Sequence, residues 1–256
     1  MRRLDPEKVA AFRHDKGPVG CLLTHGFGGS PFEMRELGEF LSEKGLSVLC
    51  RPLPGHGTTP LDMMETDWYD WYRACVANVA ELSSRCEKVF LCGMSSGGSL
   101  SLHVAAHYAQ RYKIAGVAVY ATPVYLSNPL LPLLPIVKMF FKFTRPGESD
   151  VTDLAARERQ QYYNRIPLEC IASLARMLAH MENDLQDVTV PVLLIHSKND
   201  KSVDPRNVYL IHKLLGTHDK TVIEVERSGH SLMVDLDKEI LKEKTYEFIK
   251  RVGNLQ

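Results

Sequence analysis

The sequence predicts an α/β protein: a mainly parallel central sheet flanked by helices, with a small helical cap inserted late in the sheet. Three observations carry that prediction. From Gly17 onward, short apolar β-type runs alternate with longer helical patterns, the signature of parallel strands joined by crossover helices. Between Pro123 and about Asp187 that rhythm stops, and a structureless loop of such length is improbable inside a compact domain. Finally, a chain of 256 residues can bury roughly three quarters of its unfolded surface, so a core forms without disulfides or metals.

Val19–Thr24 is the first clear strand and runs into His25-Gly26-Phe27-Gly28-Gly29. A helix then opens with Ser30 as N-cap, Pro31 at its first position and Glu33 completing a capping box. Met34, Leu37, Phe40 and Leu41 recur at helical spacing, and Gly45 stops the helix. Leu46–Cys50 is the second strand, followed by the turn-rich loop Pro52–Gly57. Trp68, Trp71, Tyr72, Cys75, Val79 and Leu82 form the buried stripe of the next helix. Lys88–Cys92 is the third strand; it leads into Gly93-Met94-Ser95-Ser96-Gly97-Gly98 and a small-residue helix reaching about Gln110. Ala115–Tyr120 is the fourth strand. The interrupted segment holds the proline-rich Asn128–Pro135, an apolar stretch to Phe143, and helical patterns near Leu154–Asn164 and Leu168–Leu185. Residues 124–187 are therefore assigned to the cap, and residues 1–123 and 188–256 to the core. The alternation resumes with the strand Pro191–Ser197, the loop Lys198–Pro205, a helix to Leu215, the strand Thr221–Glu226, the loop Arg227–Leu232 and a final helix.

Composition narrows the function classes. The 31 basic and 31 acidic side chains balance, which argues against a nucleic-acid binder and removes long-range attraction to polyanions. The six cysteines (Cys21, Cys50, Cys75, Cys86, Cys92 and Cys170) form no C-x-x-C pair and no cluster at zinc spacing. Met1 to Lys8 begins basic with no apolar run behind it, and no stretch approaches the roughly 18 apolar residues of a membrane span. The expected compartment is the cytoplasm.

The chemistry sits at the loop ends. Gly93-Met94-Ser95-Ser96-Gly97 fits G-x-S-x-G, a strained strand-to-helix turn that lifts a serine hydroxyl above the sheet. Its context is the required one, with an apolar strand before it and a helix after. Ser96 is the competing hydroxyl, but shifting the frame puts Met94 where the first glycine belongs. A serine is a poor nucleophile until a base takes its proton, and in this architecture the chain order is serine, acid, histidine. Asp200 and His230 follow the two later strands in that order. Asp204 is the rival acid, better suited to capping a helix before Pro205; His218 is the rival base, at the wrong end of the sheet. The Ser96 and Phe27 amides are the candidate donors for a developing oxyanion.

Other patterns are weaker. Gly26-Phe27-Gly28 half resembles a dinucleotide turn, but Pro31 takes the third glycine position and no acid follows the second strand. His103 and His107 stand four apart on a helix, as zinc ligands can, yet no glutamate follows the first. One of them is expected to pack and the other to be solvated. None of the cysteines lies at a strand-to-helix corner.

Taken in order, His25-Gly26-Phe27, Gly55-His56-Gly57-Thr58, Gly93-Met94-Ser95-Ser96-Gly97-Gly98, Asp200 and Ser228-Gly229-His230 closely resemble the bacterial carboxylesterase and monoacylglycerol lipase family of α/β-hydrolases. The resemblance runs from about Gly17 to Val252. It implies an α/β-hydrolase fold lacking the two N-terminal strands of larger relatives, no cofactor or metal, and hydrolysis of small uncharged carboxylic esters. It assigns the triad to Ser95, Asp200 and His230 and the oxyanion donors to Phe27 and Ser96. Where the family usually has Leu or Met after the serine, this chain has Ser96. Where monoacylglycerol lipases place a cap glutamate against the glycerol head, alignment through Tyr163 and Pro167 puts Gln160, with Glu158 nearby. Gln160 and the apolar cap residues Leu130, Leu133, Leu134, Val137 and Phe140 are the expected substrate contacts, and the apolar cap surface is expected to touch lipid interfaces transiently. The same triad would also serve thioester, lactone or carbon–carbon cleavage, or persist in a slow-turnover receptor.

Overall fold

The apolar runs assemble into one seven-stranded sheet whose order brings four loops to the same edge. A computed structural model describes residues 4–255. Met1–Arg3, the basic start noted above, and Gln256 lie outside the described residues. In chain order the elements begin with α1 (Pro6–Val9), β1 (Phe12–His14), β2 (Val19–Thr24), α2 (Arg35–Glu43), β3 (Ser47–Cys50), α3 (Pro60–Met64) and α4 (Trp68–Ser83). They continue with β4 (Lys88–Met94), α5 (Ser96–Tyr108), β5 (Ile114–Tyr120), α6 (Leu134–Phe140), β6 (Phe143–Thr144), α7 (Leu154–Arg159), β7 (Ile166–Pro167) and α8 (Leu168–Asp184). The chain closes with β8 (Val192–Ser197), α9 (Arg206–Leu214), β9 (Lys220–Val225) and α10 (Lys238–Gly253). The sheet order is β1-β3-β2-β4-β5-β8-β9, parallel except for β1.

The alternation of side chains along each strand divides the core into two apolar layers. Val89 and Leu91 of β4 and Val117 and Val119 of β5 face α4, α5, α8 and α9. Phe90 and Cys92, with Ala118 and Tyr120, face α2 and α10. Strands covered on both faces read as continuous apolar runs, which is why they were visible in the sequence. All six cysteines are buried and free.

Two expectations at the N-terminal side are corrected. Phe12–His14 forms an antiparallel edge strand on β3, with Phe12 opposite Cys50, so one strand precedes Gly17. Three residues are too few to show a period; the strand is held by its register and by Phe12 packing over Gly38. The capping box at Ser30 is also absent: Ser30 makes no side-chain cap, Pro31–Met34 is a 3-10 turn, and the Glu33 carboxylate turns instead to the Gly26 N–H at 2.9 Å.

Between β5 and β8 lie, in chain order, α6, β6, α7, β7 and α8. The two-residue strands β6 and β7 pair antiparallel and are too short to leave a sequence pattern. The helix expected to run to Asn164 stops at Arg159, because tertiary hydrogen bonds claim the following residues. Thr58 N–H donates to the Tyr163 hydroxyl at 2.9 Å, which donates to Gly55 O at 2.8 Å. Ser149 Oγ donates to Gln160 Oε1 at 2.9 Å. Asp235 ties this segment to the core by accepting the Thr152 and Asp153 N–H groups at 2.9 and 2.8 Å.

Candidate active site

Ser95 occupies the corner between β4 and α5 with φ 53 and ψ −125, a conformation that costs a non-glycine residue about 1–3 kcal/mol. The turn is over-determined. Ser95 N–H donates to Tyr120 O at 2.7 Å. A Cβ on Gly97 would meet Thr24 O and His25 O at 2.3 and 2.4 Å, and one on Gly93 would meet Gly97 O at 2.3 Å. Only glycine lets these backbones approach, so the G-x-S-x-G spacing reflects contact distances. Ser96, the rival hydroxyl, is buried at 3% exposure, while the Ser95 side chain faces a cavity.

Asp200 and His230 reach Ser95 from the ends of β8 and β9. His230 Nδ1 lies 2.8 Å from Asp200 Oδ2, and His230 Nε2 lies 3.1 Å from Ser95 Oγ. Asp200 Oδ1 accepts the Ser202 and Val203 N–H groups, each at 2.8 Å, and Oδ2 also lies 3.1 Å from His196 Nε2. Burial opposes the Asp200 charge, but His230, His196 and the Val203 amide outweigh it and hold the carboxyl well below its usual range. Burial likewise opposes protonation of His230, yet Asp200 outweighs it and raises the imidazole above its ordinary value. An ionised Asp200 fixes the proton on Nδ1 and leaves the Nε2 lone pair toward Ser95. The His230 loop is itself anchored: Gly229 N–H donates to Asp235 Oδ2 at 2.8 Å, and Arg227 N–H to Asp237 Oδ2 at 2.9 Å.

The loop after β2 passes directly over Ser95; a Cβ on Gly26 would lie 3.2 Å from Ser95 Cβ. His25 pins it. Burial, then the neighbouring His56, push the His25 imidazole down to about 3, so the ring is neutral. Leu53 N–H donates to its Nε2 at 3.0 Å, and its Nδ1–H donates to Gly26 O at 2.9 Å. The Phe27 ring packs edge-on against Trp71 with centroids 5.6 Å apart. Ser96 opens α5, so its N–H has no acceptor within the helix.

Glu33 is the unexpected group. It is 4% exposed, faces the cavity beside Ser95 and His230, and burial pushes its carboxyl up to about 7 despite the Gly26 N–H and His230. The unfolded chain gives up this proton near pH 4.5 and the folded protein near 7, so its ionisation destabilises the fold as pH rises through that window. Glu33→Gln retains an acceptor for Gly26 and is expected to gain about 3 kcal/mol relative to wild type between those limits, read by denaturant melts at pH 4.5 and 8. Removing the charge also removes a raising influence on His230, so the acid limb of kcat/KM moves to lower pH.

These groups share a cavity of about 400 Å³. Leu126, Ile166, Leu174, Tyr162 and Val203 supply much of its wall, with Gln160 and Ser231 as polar points. Gln160 lines the cavity, and its Nε2 donates to Ser231 Oγ at 3.3 Å. Leu130, Leu133, Leu134, Val137 and Phe140 are corrected, because none of them lines the cavity. The helix α6 lies across α8, tied by Lys138 to Glu169 at 2.7 Å, and buries only Leu134. Phe140 is 75% exposed and Leu130 65%. The segments 146–150 and 160–166 reach inward in their place.

Comparison with known proteins bears on what this geometry serves. The family model described as "Serine aminopeptidase, S33" matches residues 19–237. The chain belongs to that family. The chain is 29% identical over 249 residues to the thermostable monoacylglycerol lipase of Bacillus sp. (strain H-257), covering 94% of each chain. It is 23% identical over 245 residues to the carboxylesterase of Bacillus subtilis (strain 168), covering 94% of this chain and 96% of that one. A solved structure from work on the metagenome-derived lipolytic enzymes LipS and LipT shares 30% identity, with a TM-score of 0.90 over 95% of this chain and 98% of that one. The fold is the α/β-hydrolase fold.

Within this serine aminopeptidase family member, the rival residues fall elsewhere. Asp204 Oδ1 accepts Arg206 N–H at 2.9 Å at the start of α9, and His218 is exposed just before β9, at the opposite sheet edge. Sequence reasoning missed Glu33, His196 and Asp235. His196 stands four residues before Asp200 at the end of β8, a spacing that was available. Glu33 reads as a cap partner because its i+3 spacing from Ser30 fits one. Asp235 gives no local signal; its partners Thr152, Asp153 and Gly229 are brought to it by the fold. Among the described residues, no helix is long and apolar enough to cross a membrane.

Proposed function

We propose that the chain is a serine hydrolase of carboxylic esters acting through an acyl-enzyme. The observation that carries this reading is the hydrogen-bonded chain Asp200–His230–Ser95, opening on a largely apolar cavity of about 400 Å³. Ser95 Oγ attacks the ester carbonyl as His230 Nε2 takes its proton, and Asp200 stabilises the imidazolium. The Phe27 and Ser96 amides receive the oxyanion; losing one such donor typically costs ~100–1,000-fold in rate. His230 then protonates the departing alcohol, and water, activated by the same imidazole, releases the acid.

The proposed substrate is a small uncharged ester with a short- to medium-chain acyl group, monoacylglycerols included. The relatives described as a monoacylglycerol lipase and a carboxylesterase support this reading. Gln160 and Tyr162 meet at Ser231 Oγ, each at 3.3 Å, and form a hydroxyl-binding point suited to an alcohol head. Residues 124–187 are the proposed cap, and the cytoplasm the proposed compartment. The outward face of α6, with Ile136, Met139 and Phe140 exposed beside Lys142, would rest transiently on a lipid surface.

Chromogenic esters of increasing acyl length, monoacylglycerols, an acyl thioester and an aminoacyl anilide test the proposal. The expected result is kcat/KM peaking at short to medium acyl esters, with the anilide far slower. Cleavage of the anilide alone would reject ester hydrolysis, and tight ligand binding with no turnover would point to a receptor.

A further inference from the structure

We propose that His103, His107 and Asp184 form a binding site for a divalent transition-metal cation, zinc foremost, that joins α5 to the end of α8. The two histidines lie one turn apart on the same face of α5, and Asp184 is the last residue of α8. One nitrogen from each ring and one carboxylate oxygen lie within 4.8 Å of one another. His103 Nδ1 is 2.8 Å and His107 Nε2 3.0 Å from the same Asp184 Oδ2.

Hydrogen bonding alone accounts for only part of this convergence. His107 Nε2 makes an aligned bond to Asp184. His103 is 5% exposed, and its Nδ1 is buried without an aligned partner although the oxygen is close. The buried Nδ1 thus touches a carboxylate oxygen without hydrogen-bond alignment, a juxtaposition that suits two ligands of one ion.

Two imidazoles and a carboxylate are a donor set that zinc takes readily, with a water completing four ligands. Tetrahedral ligand atoms lie roughly 3.3 Å apart, so small side-chain adjustments of the present spacing suffice. The His107 side chain is 43% exposed, which opens a path for the ion and the water. The site lies about 12 Å along α5 from Ser95, too far to touch substrate. Its effect is mechanical: the bound ion would fasten the last helix before β8 to the helix that carries the nucleophile turn.

The test uses full-length protein stripped with a chelator, then titrated with zinc chloride by calorimetry and followed by thermal melting. Wild type is expected to bind one zinc ion with a micromolar Kd and to melt several degrees higher when saturated. His107→Gln and Asp184→Asn should each weaken that binding at least tenfold and abolish the melting shift. His107 is exposed, so its variant should melt as wild type does in chelator, which separates lost binding from misfolding. Absence of binding in wild type up to 1 mM zinc would overturn the proposal. So would undiminished binding in both variants, which would mean an adventitious ion only, held by other histidines.

Discussion

Ser95→Ala is expected to lower kcat for ester hydrolysis by roughly 10⁶-fold, leaving only the contribution of binding and the oxyanion donors. The effect is that large because, among the described residues, Ser95 carries the one hydroxyl hydrogen-bonded to His230 Nε2. Ser96 is buried on the α5 side and cannot substitute. The variant should fold normally, since alanine loses only a hydroxyl and the turn is held by backbone contacts at Gly93 and Gly97. Steady-state rates with the best chromogenic ester, alongside circular dichroism and a melting curve, check both halves. Residual activity above about one part in a thousand would contradict the assignment.

Asp200→Asn is expected to lower kcat by roughly 10⁴-fold with little change in KM. The hydrogen-bond inventory explains why an isosteric change is so damaging. Oδ1 accepts the Ser202 and Val203 amides, so the asparagine carbonyl oxygen keeps that place and the amide NH₂ turns toward His230. His230 Nδ1 must then accept, Nε2 carries the proton, and the imidazole cannot take the Ser95 proton. The substitution should also lower stability at neutral pH. The folded carboxyl titrates below its unfolded value, so its charge stabilises the protein above the usual carboxylate range and stops doing so as pH falls through the folded value. Paired pH–rate profiles and denaturant melts of wild type and variant measure both effects.

The residues legible in the sequence were those whose role follows from strand ends. In a parallel sheet the C-terminal ends of all strands share one edge, so Ser95, Asp200 and His230 could be placed together from chain order alone. The Ser95 turn was legible because Gly93 and Gly97 are required by contacts under 2.5 Å. What stayed hidden depended on direction. An apolar residue at helical spacing reads the same whether it faces a cavity or solvent, and α6 sends Ile136, Met139 and Phe140 outward. Gln160 was placed by resemblance, and its pocket position arises because α7 ends one residue before it. Glu33 matches a local capping rule, but its carboxylate accepts the Gly26 N–H instead, and Ser30 at the start of the turn is buried and makes no side-chain cap. Charge balance in the sequence is compatible with an uncharged substrate, yet the cavity wall also contains Glu33, Glu148 and Asp150, which total charge conceals.

Covalent labelling tests the central claim most directly. A fluorophosphonate reacts with a serine only where a base removes its proton and an oxyanion site receives the phosphonyl oxygen. Intact-mass and peptide mass spectrometry of the labelled protein should show a single phosphonyl adduct, located on Ser95 and absent from Ser95→Ala. An adduct on another serine, or no adduct while esters are still turned over, would contradict the account.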